Sequence, residues 1–195
     1  KVTDKPDSPC FRAYSTSSAP KENGKTLELC IKVVEGGRAS NWLKSLQEGD
    51  EINFLGPIGK FLFKDEKKNA LFIATGTGIA PLKTFIEDQL NKGNKSPFHL
   101  IFGVRYIKDI FYREFFENLA AAHPNFRFDL TLSRPESPNW KGNQGRVTDI
   151  LNKTTLDPAN TEVYICGLKD MIESVTNMLK TKGFPEENVN FEKYD

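Results

Sequence analysis

Ala70-Leu71-Phe72-Ile73-Ala74-Thr75-Gly76-Thr77-Gly78-Ile79-Ala80-Pro81 is the stretch on which the fold turns. The run Ala70–Ala74 is short, apolar and rich in residues that fill a strand buried on both faces, as in a parallel sheet. Two glycines follow, and then a helical pattern runs through Phe85, Ile86 and Leu90 until Gly93 ends it. A glycine turn between strand and helix lets the backbone pass close to a pyrophosphate, and the helix N-terminus offers free N–H groups and positive dipole to it. The full G-x-G-x-x-G fingerprint is absent, because Pro81 stands where the third glycine would be. In isolation the same turn is also compatible with a bare strand-to-helix corner. The strand before it and the helix after it favour the anion site.

Downstream the same rhythm repeats. His99–Val104 reads as a strand, Phe111–Ala122 as a helix with Pro124 just beyond it, and Phe126–Leu132 as a third strand. Val163–Cys166 reads as a fourth, Lys169–Lys182 as a helix closed by Gly183, and Asn188–Phe191 as a last short strand. Alternation of this kind predicts right-handed crossovers and a doubly wound parallel α/β sheet.

Upstream the texture differs. Thr26–Val34 is β-branched and follows the turn-like Glu22-Asn23-Gly24, while Glu51–Leu55 and the residues after Gly59 read as further short strands around Gly56-Pro57. One helix interrupts them, with Ser40 as its N-cap, Trp42, Leu43 and Leu46 on one face and Gly49 as its stop. The expectation is two domains, an antiparallel β-barrel over 1–67 and the α/β domain over 68–195, with the boundary in the charged stretch Lys64–Asn69.

Composition narrows the class. Lys and Arg number 27 against 26 Asp and Glu, which favours neither nucleic acid nor an anionic membrane as main partner. No apolar run reaches the roughly 20 residues that span a bilayer. The three cysteines, Cys10, Cys30 and Cys166, are odd in number and show no C-x-x-C spacing. That argues against a disulfide framework or a metal site, and for a reducing soluble compartment, cytoplasmic or organellar. The first residue is Lys1 and not Met, so an earlier segment or trimming is expected.

Two further motifs carry chemistry. Arg12-Ala13-Tyr14-Ser15 combines a phosphate-pairing guanidinium, an aromatic ring suited to cover a flavin, and a hydroxyl able to bond a ring nitrogen; it reads equally as an exposed strand. Gly36-Gly37-Arg38-Ala39-Ser40-Asn41 opens a glycine turn into a helix, a second anion site or a plain capped helix.

Together these motifs resemble the ferredoxin–NADP+ reductase superfamily along nearly the whole chain and in the expected order. Arg12–Ser15 is similar to its R-x-Y-S flavin motif. Gly37–Ser40 resembles its pyrophosphate turn, Gly56–Phe61 its G-P-x-G-x-F turn, and Gly76–Pro81 its nicotinamide-dinucleotide turn. Tyr164–Met171 resembles the C-G-L-K-x-M of plant-type members, and Glu192-Lys193-Tyr194 their E-x-Y ending, here followed by Asp195.

The resemblance implies an NAD(P)H-dependent flavoprotein reductase with FAD as its flavin. Hydride would pass from NAD(P)H to FAD, and single electrons would then go to a small redox protein, an iron–sulfur domain or an oxygenase component. Ser15, Cys166 and Glu192 would flank the reacting atoms. Arg12, Tyr14, Gly37, Ser40 and Tyr194 would hold flavin. Thr75, Gly76, Thr77, Gly78, Pro81, Gly167 and Met171 would hold the dinucleotide. Ser133 and Arg134 match the pair that binds a 2′-phosphate and tip the reading towards NADPH, whereas Trp140-Lys141-Gly142 through Gly145–Asp149 looks like NADH-using oxygenase reductases. The family has several barrel strands before R-x-Y-S, and eleven residues precede Arg12 here, so the barrel is expected to lack its first strands. Two other readings stand beside this one. One is a non-catalytic nucleotide-binding or electron-relay subunit whose flavin site needs a partner chain; the other is a free-flavin or quinone reductase.

Overall fold

The computed structural model of the protein describes residues 11–20, 24, 26–64 and 67–194. Cys10, Glu22, Asn23, Asp195 and residues 65 and 66 of the expected boundary lie outside the described residues.

From Asn69 onward the alternation predicted above is realised. Strands β1 (Asn69–Thr75), β2 (Phe98–Val104), β3 (Phe126–Leu132), β4 (Asn143–Gln144), β5 (Thr161–Gly167) and β6 (Val189–Lys193) form one sheet in the order β4-β3-β2-β1-β5-β6. Every pairing is parallel. The period-two alternation of side chains sorts the core into two layers. Phe72, Leu100, Phe102 and Tyr164 face helices α2 (Ile79–Asn91) and α3 (Arg113–Ala122), packing with Leu82, Ile86 and Phe116. Leu71, Ile73, Ile101, Val163 and Ile165 face α4 (Val147–Lys153) and α5 (Lys169–Thr181), packing with Leu151, Val175 and Leu179. Leu71, Phe72 and Ile73 are completely buried, each contributing about 1.5–3 kcal/mol of transfer free energy. This is the doubly wound arrangement, with its order reversing between β1 and β5.

Several boundaries differ from the sequence reading, each for a local reason. Helix α3 begins at Arg113, two residues late, because Tyr112 sits in the left-handed region at φ 56°. Strand β4 and helix α4 were not read from the sequence. Two residues suffice for β4, and α4 opens where the Arg146 N–H donates to Asp149 Oδ2 at 2.7 Å.

The described residues of the first third are less regular than a barrel. Helix α1 spans Arg38–Ser45, but its N-cap is Gly37, and Ser40 is buried inside the first turn. The Ser40 hydroxyl accepts from Val34 N–H at 3.1 Å and so braces the turn instead of capping the helix. The helix ends at Ser45, before Gly49. Among the described residues, 26–34, 51–55 and 59–64 carry no regular strand, and the one bridge is antiparallel, Thr16 to Leu29. Phe54, Leu55, Ile58 and Leu62 stay exposed, which removes the burial that would fix a strand register there. The segment still docks on the α/β unit. Phe63 stacks on Tyr164 at 5.1 Å between centroids, and the Lys64 N–H donates to the Tyr164 hydroxyl at 2.9 Å.

Candidate functional site

In an open parallel sheet, ligands settle beyond the carboxyl ends of the strands where the order reverses. Here that point lies between the ends of β1 and β5, and the register places three residues in one row across it. Ala74 pairs with Cys166, and Cys166 pairs with Glu192. Thr75 and the turn Gly76–Gly78 follow directly on β1, and Gly167 ends β5.

The turn is a single 3₁₀ turn feeding α2. Gly76 takes φ +55°, a conformation costly to any residue with a Cβ. Gly78 is glycine for contact: a Cβ there would lie 2.3 Å from the Cys166 carbonyl oxygen. Pro81 is buried in the first turn of α2, where its missing N–H leaves no helical bond unmade. Gly167 lies equally close to its neighbours, since a Cβ would stand 2.3 Å from Thr75 Oγ1 and 2.7 Å from the Met171 methyl. Thr75 Oγ1 is buried and has no hydrogen-bond partner.

On this row the sequence-predicted residues converge. The Ser15 hydroxyl, from the other end of the chain, donates to Glu192 Oε2 at 3.0 Å. Tyr194 follows β6, and its N–H donates to the Gly167 carbonyl at 2.9 Å. Its hydroxyl is buried without a well-formed bond, though Ser15 and Cys166 lie close enough to shift its ionisation. Burial first, and then Cys166, push the Tyr194 phenol above its usual range. Burial first, and then the Glu192 charge, push the Cys166 thiol up as well. At neutral pH the cluster therefore presents a neutral thiol and a neutral phenol beside one carboxyl group.

Two orphan buried hydroxyls, Thr75 Oγ1 and Tyr194 OH, thus lie beside a row in which a Cβ at Gly78 or Gly167 would strike its neighbours. These residues fit a dinucleotide at the carboxyl end of the sheet. Elsewhere the predicted residues stay apart. Arg12 is exposed and donates to the carbonyl of its neighbour Phe11 at 2.8 Å, and Tyr14 is half-buried. Gly37 and Ser40 sit at the start of α1, whose first turn has no side-chain cap. Ser133 and Arg134 are exposed just past β3, and the Arg134 N–H donates to the Arg105 carbonyl at 3.0 Å. Two exposed arginines thereby neighbour each other beyond the ends of β2 and β3. Trp140 is consumed by packing: its indole N–H donates to the Asn143 carbonyl, and a Cβ on Gly142 would strike its ring at 2.4 Å.

Sequence reasoning missed Arg105, Lys83 and Tyr112. The signal for Lys83 was present: it falls on the apolar stripe Ile79-Leu82-Ile86-Leu90 of α2, and it is buried. A groove of about 360 Å³ opens at the opposite end of the sheet, lined by Asn69, His99, Asn125, Arg127 and Asp157 among others. It touches none of the residues above and faces the amino ends of the strands, so the carboxyl end remains the candidate site. Among the described residues no group of three or more His, Cys, Asp or Glu is arranged to hold a metal ion.

Known proteins share this design. Residues 72–177 match the family described as the oxidoreductase NAD-binding domain, and residues 1–63 match the oxidoreductase FAD-binding domain. Ferredoxin–NADP reductase B of Sorangium cellulosum is 36% identical over 94% of this chain and 78% of its own length. The electron transfer component of toluate 1,2-dioxygenase of Pseudomonas putida is 32% identical over 97% of this chain and 55% of its own length. A component of the Na(+)-translocating NADH-quinone reductase of Neisseria meningitidis is 35% identical over 95% of this chain, which spans about half the length of that relative, 49%. A ferredoxin–NADP+ reductase of Neisseria gonorrhoeae, solved with bound FAD and NADP, superposes with a TM-score of 0.77 at 25% identity over 93% of this chain and 79% of its own.

Proposed function

The chain belongs to the FAD- and NAD-binding oxidoreductases that include the ferredoxin–NADP reductases, and on that premise we propose that it is the reductase core that takes electrons from NAD(P)H for a protein acceptor. When bound, the nicotinamide supplies a hydride and the flavin accepts it, and the electrons then pass on singly. The observation that carries this reading is the Ser15–Glu192 hydrogen bond beside Cys166. It joins the flavin-motif serine to the carboxyl end of the edge strand β6, in register with Cys166 of β5.

The protein's share is to bind, orient and exclude. Gly76, Thr77 and Gly78 cradle the pyrophosphate of the dinucleotide at the start of α2, with Thr75 and Pro81 shaping the turn. Gly167 and Met171 border its path, and the Cys166 thiol packs against the nicotinamide. Ser15 and Glu192 hold a proton between two oxygens at the site, and Tyr194 would cover the flavin. Arg12 pairs with the FAD pyrophosphate, Tyr14 packs on the flavin, and Gly37 and Ser40 shape the second phosphate turn. Residues 1–67 act as the flavin-binding domain, an antiparallel barrel, and 68–195 as the nucleotide domain. A small redox protein, an iron–sulfur domain or an oxygenase component is the acceptor, and a reducing soluble compartment is its setting; among the described residues no helix is long and apolar enough to cross a membrane.

Arg134 beside Arg105 favours NADPH, since guanidinium forks suit a terminal phosphate. The rival NADH cue has less physical weight here, because Trp140 and Gly142 pack on each other. The test is an anaerobic titration of the FAD-loaded full-length protein with NADPH and with NADH, following flavin absorbance. Bleaching with NADPH at the lower concentration is expected. No bleaching of the bound flavin by either nucleotide refutes the reductase reading.

A further inference from the structure

Lys83 is a cation on the buried face of α2, and its side chain is 5% exposed. Its ammonium donates to the Ser17 carbonyl at 2.7 Å and to Glu87 Oε2 at 3.4 Å, with Glu28 Oε2 at 3.9 Å. It also lies over the rings of Tyr112 and Phe115, at 5.0 and 4.4 Å from their centroids. The pocket is closed by a second layer of bonds. The Tyr112 hydroxyl donates to Glu28 and lies 3.2 Å from the Ser17 hydroxyl, the Ser17 N–H donates to the Glu28 carbonyl at 2.8 Å, and the Ala19 N–H donates to Glu87 at 3.0 Å. Next to it, the Thr84 hydroxyl donates to the Thr16 carbonyl at 2.7 Å.

Stability alone does not call for a cation here. An apolar side chain would fill the space against Tyr112 and Phe115, and replacing a whole buried ion pair by apolar groups is often neutral or favourable. Removing the ammonium alone, by contrast, strands the Ser17 carbonyl and the carboxylates. What charge adds is direction: the ammonium only donates, and it needs a carbonyl and carboxylates placed around it, so it selects one position of the chain at Ser17. From there Ser15 is two residues away, at most about 7 Å of backbone. In the other direction Gly78 is five residues along α2, about 7.5 Å of helix, and it abuts Cys166. The same helix therefore carries both references, one to the flavin-side serine and one to the nucleotide-side turn.

We propose that Lys83, held between Glu28, Glu87 and Tyr112, is a positioning residue that sets Ser15 against Glu192 and Cys166 and so registers the two cofactor sites to each other. The inference rests on the reductase reading for its catalytic consequence, but the mechanical part stands without it.

The experiment compares Lys83→Met, Lys83→Arg and wild type in the full-length protein loaded with FAD. Amide hydrogen exchange reads the mechanics. In Lys83→Met the amides of Ser17 and Ala19 exchange at least ten-fold faster, while those of Leu71–Ala74 in β1 are unchanged. Anaerobic stopped-flow reads the chemistry. Flavin reduction by NADPH slows at least ten-fold, the nucleotide Kd moves less than three-fold, and Lys83→Arg restores most of the rate. Unchanged exchange at Ser17 and Ala19 overturns the proposal, as does an unchanged reduction rate in a variant whose exchange has risen. If Lys83→Met does not fold, Tyr112→Phe decides, since it loosens the same pocket without stranding a charge: unchanged exchange at Ser17 overturns the pin. A wild-type protein that neither NADPH nor NADH can reduce refutes the function and leaves the exchange result to judge the pin by itself.

Discussion

Replacing Gly78 by alanine tests how the dinucleotide turn is coupled to the reactive row. A Cβ at Gly78 would sit 2.3 Å from the carbonyl oxygen of Cys166, 2.6 Å from its carbonyl carbon and 2.9 Å from the Gly167 nitrogen. All three atoms are backbone of β5, so no side chain can swing away. Ordinary contact for such atoms is about 3.4 Å, so the turn and the end of β5 must part by roughly 1 Å. Overpacking of this size costs about 1–3 kcal/mol, which for a chain of this length lowers Tm by roughly 3–10 °C. The larger effect is on rate. Misplacing a reacting centre by about 1 Å costs on the order of 100-fold, and the displaced element carries Cys166. The assay is a thermal melt of the FAD-loaded protein together with anaerobic flavin reduction by NADPH. Gly76→Ala is the control, because its Cβ meets nothing within 4 Å and it suffers only the strain of φ +55°, about 1–2 kcal/mol. Gly76→Ala should lose stability with a rate loss of no more than a few-fold. If Gly78→Ala melts like wild type and reduces flavin within two-fold of it, the coupling between turn and row is refuted.

Glu192→Gln should slow flavin reduction about 10- to 100-fold with little change in nucleotide affinity, and Ser15→Ala added to it should cost less than the two single effects combined, because the pair shares one hydrogen bond; full additivity would disprove their coupling. Iodoacetamide should leave Cys166 unmodified at pH 7–8 by mass spectrometry, since burial and Glu192 keep its thiol protonated; rapid labelling of the folded protein would contradict that. Asp129→Asn should cost about 1 kcal/mol at pH 6–7, allowing for partial exposure. The His99 hydrogen bond outweighs burial and holds the Asp129 carboxyl below its usual pKa. Its stabilisation is therefore present above about pH 4, the unfolded value, and is lost as pH falls through the folded one. A stability gap between wild type and Asp129→Asn that persists to pH 2 in urea melts would contradict that assignment. Arg134→Ala should raise the KM for NADPH at least ten-fold and leave that for NADH within two-fold, and equal loss of both would remove Arg134 from the 2′-phosphate.

Legibility followed burial. Every long strand and helix of the α/β unit was visible, because strands buried on both faces read as continuous apolar runs and the helices between them carry one apolar stripe. Strand β4 and helix α4 left little trace: Asn143–Gln144 are exposed polar residues, and α4 buries only Val147 and Leu151. The N-terminal third was over-read. Its β-branched runs have strand composition, yet strand structure also needs neighbours, and Val33, Val34, Phe54 and Leu55 lie exposed. For the candidate site, motif order was enough to bring Ser15, Cys166, Glu192 and Tyr194 to one place. The junction was not legible as a whole: Lys83 stands out on the apolar stripe of α2, but its partners Glu28 and Tyr112 are far away in sequence and meet it only through packing.

The N-terminal segment thus needs something other than its own sheet to hold it, and two attachments of different physics serve. At one end, Phe63 stacks on Tyr164 and Phe72, and the Lys64 N–H caps the Tyr164 hydroxyl, so this contact joins ring stacking to one hydrogen bond. At the other, the Lys83 ammonium and Thr84 hydroxyl grip the carbonyls of Ser17 and Thr16, which fixes direction through hydrogen bonds. The first attachment lands on β5 two residues before Cys166, and the second on α2 five residues after Gly78. Both therefore end on elements that already build the nucleotide turn, and not on a barrel. It follows that the distance between Ser15 and Cys166 is set within the α/β unit, and disturbing the exposed apolar stretch 54–62 should alter flavin retention before it alters the geometry of the reactive row.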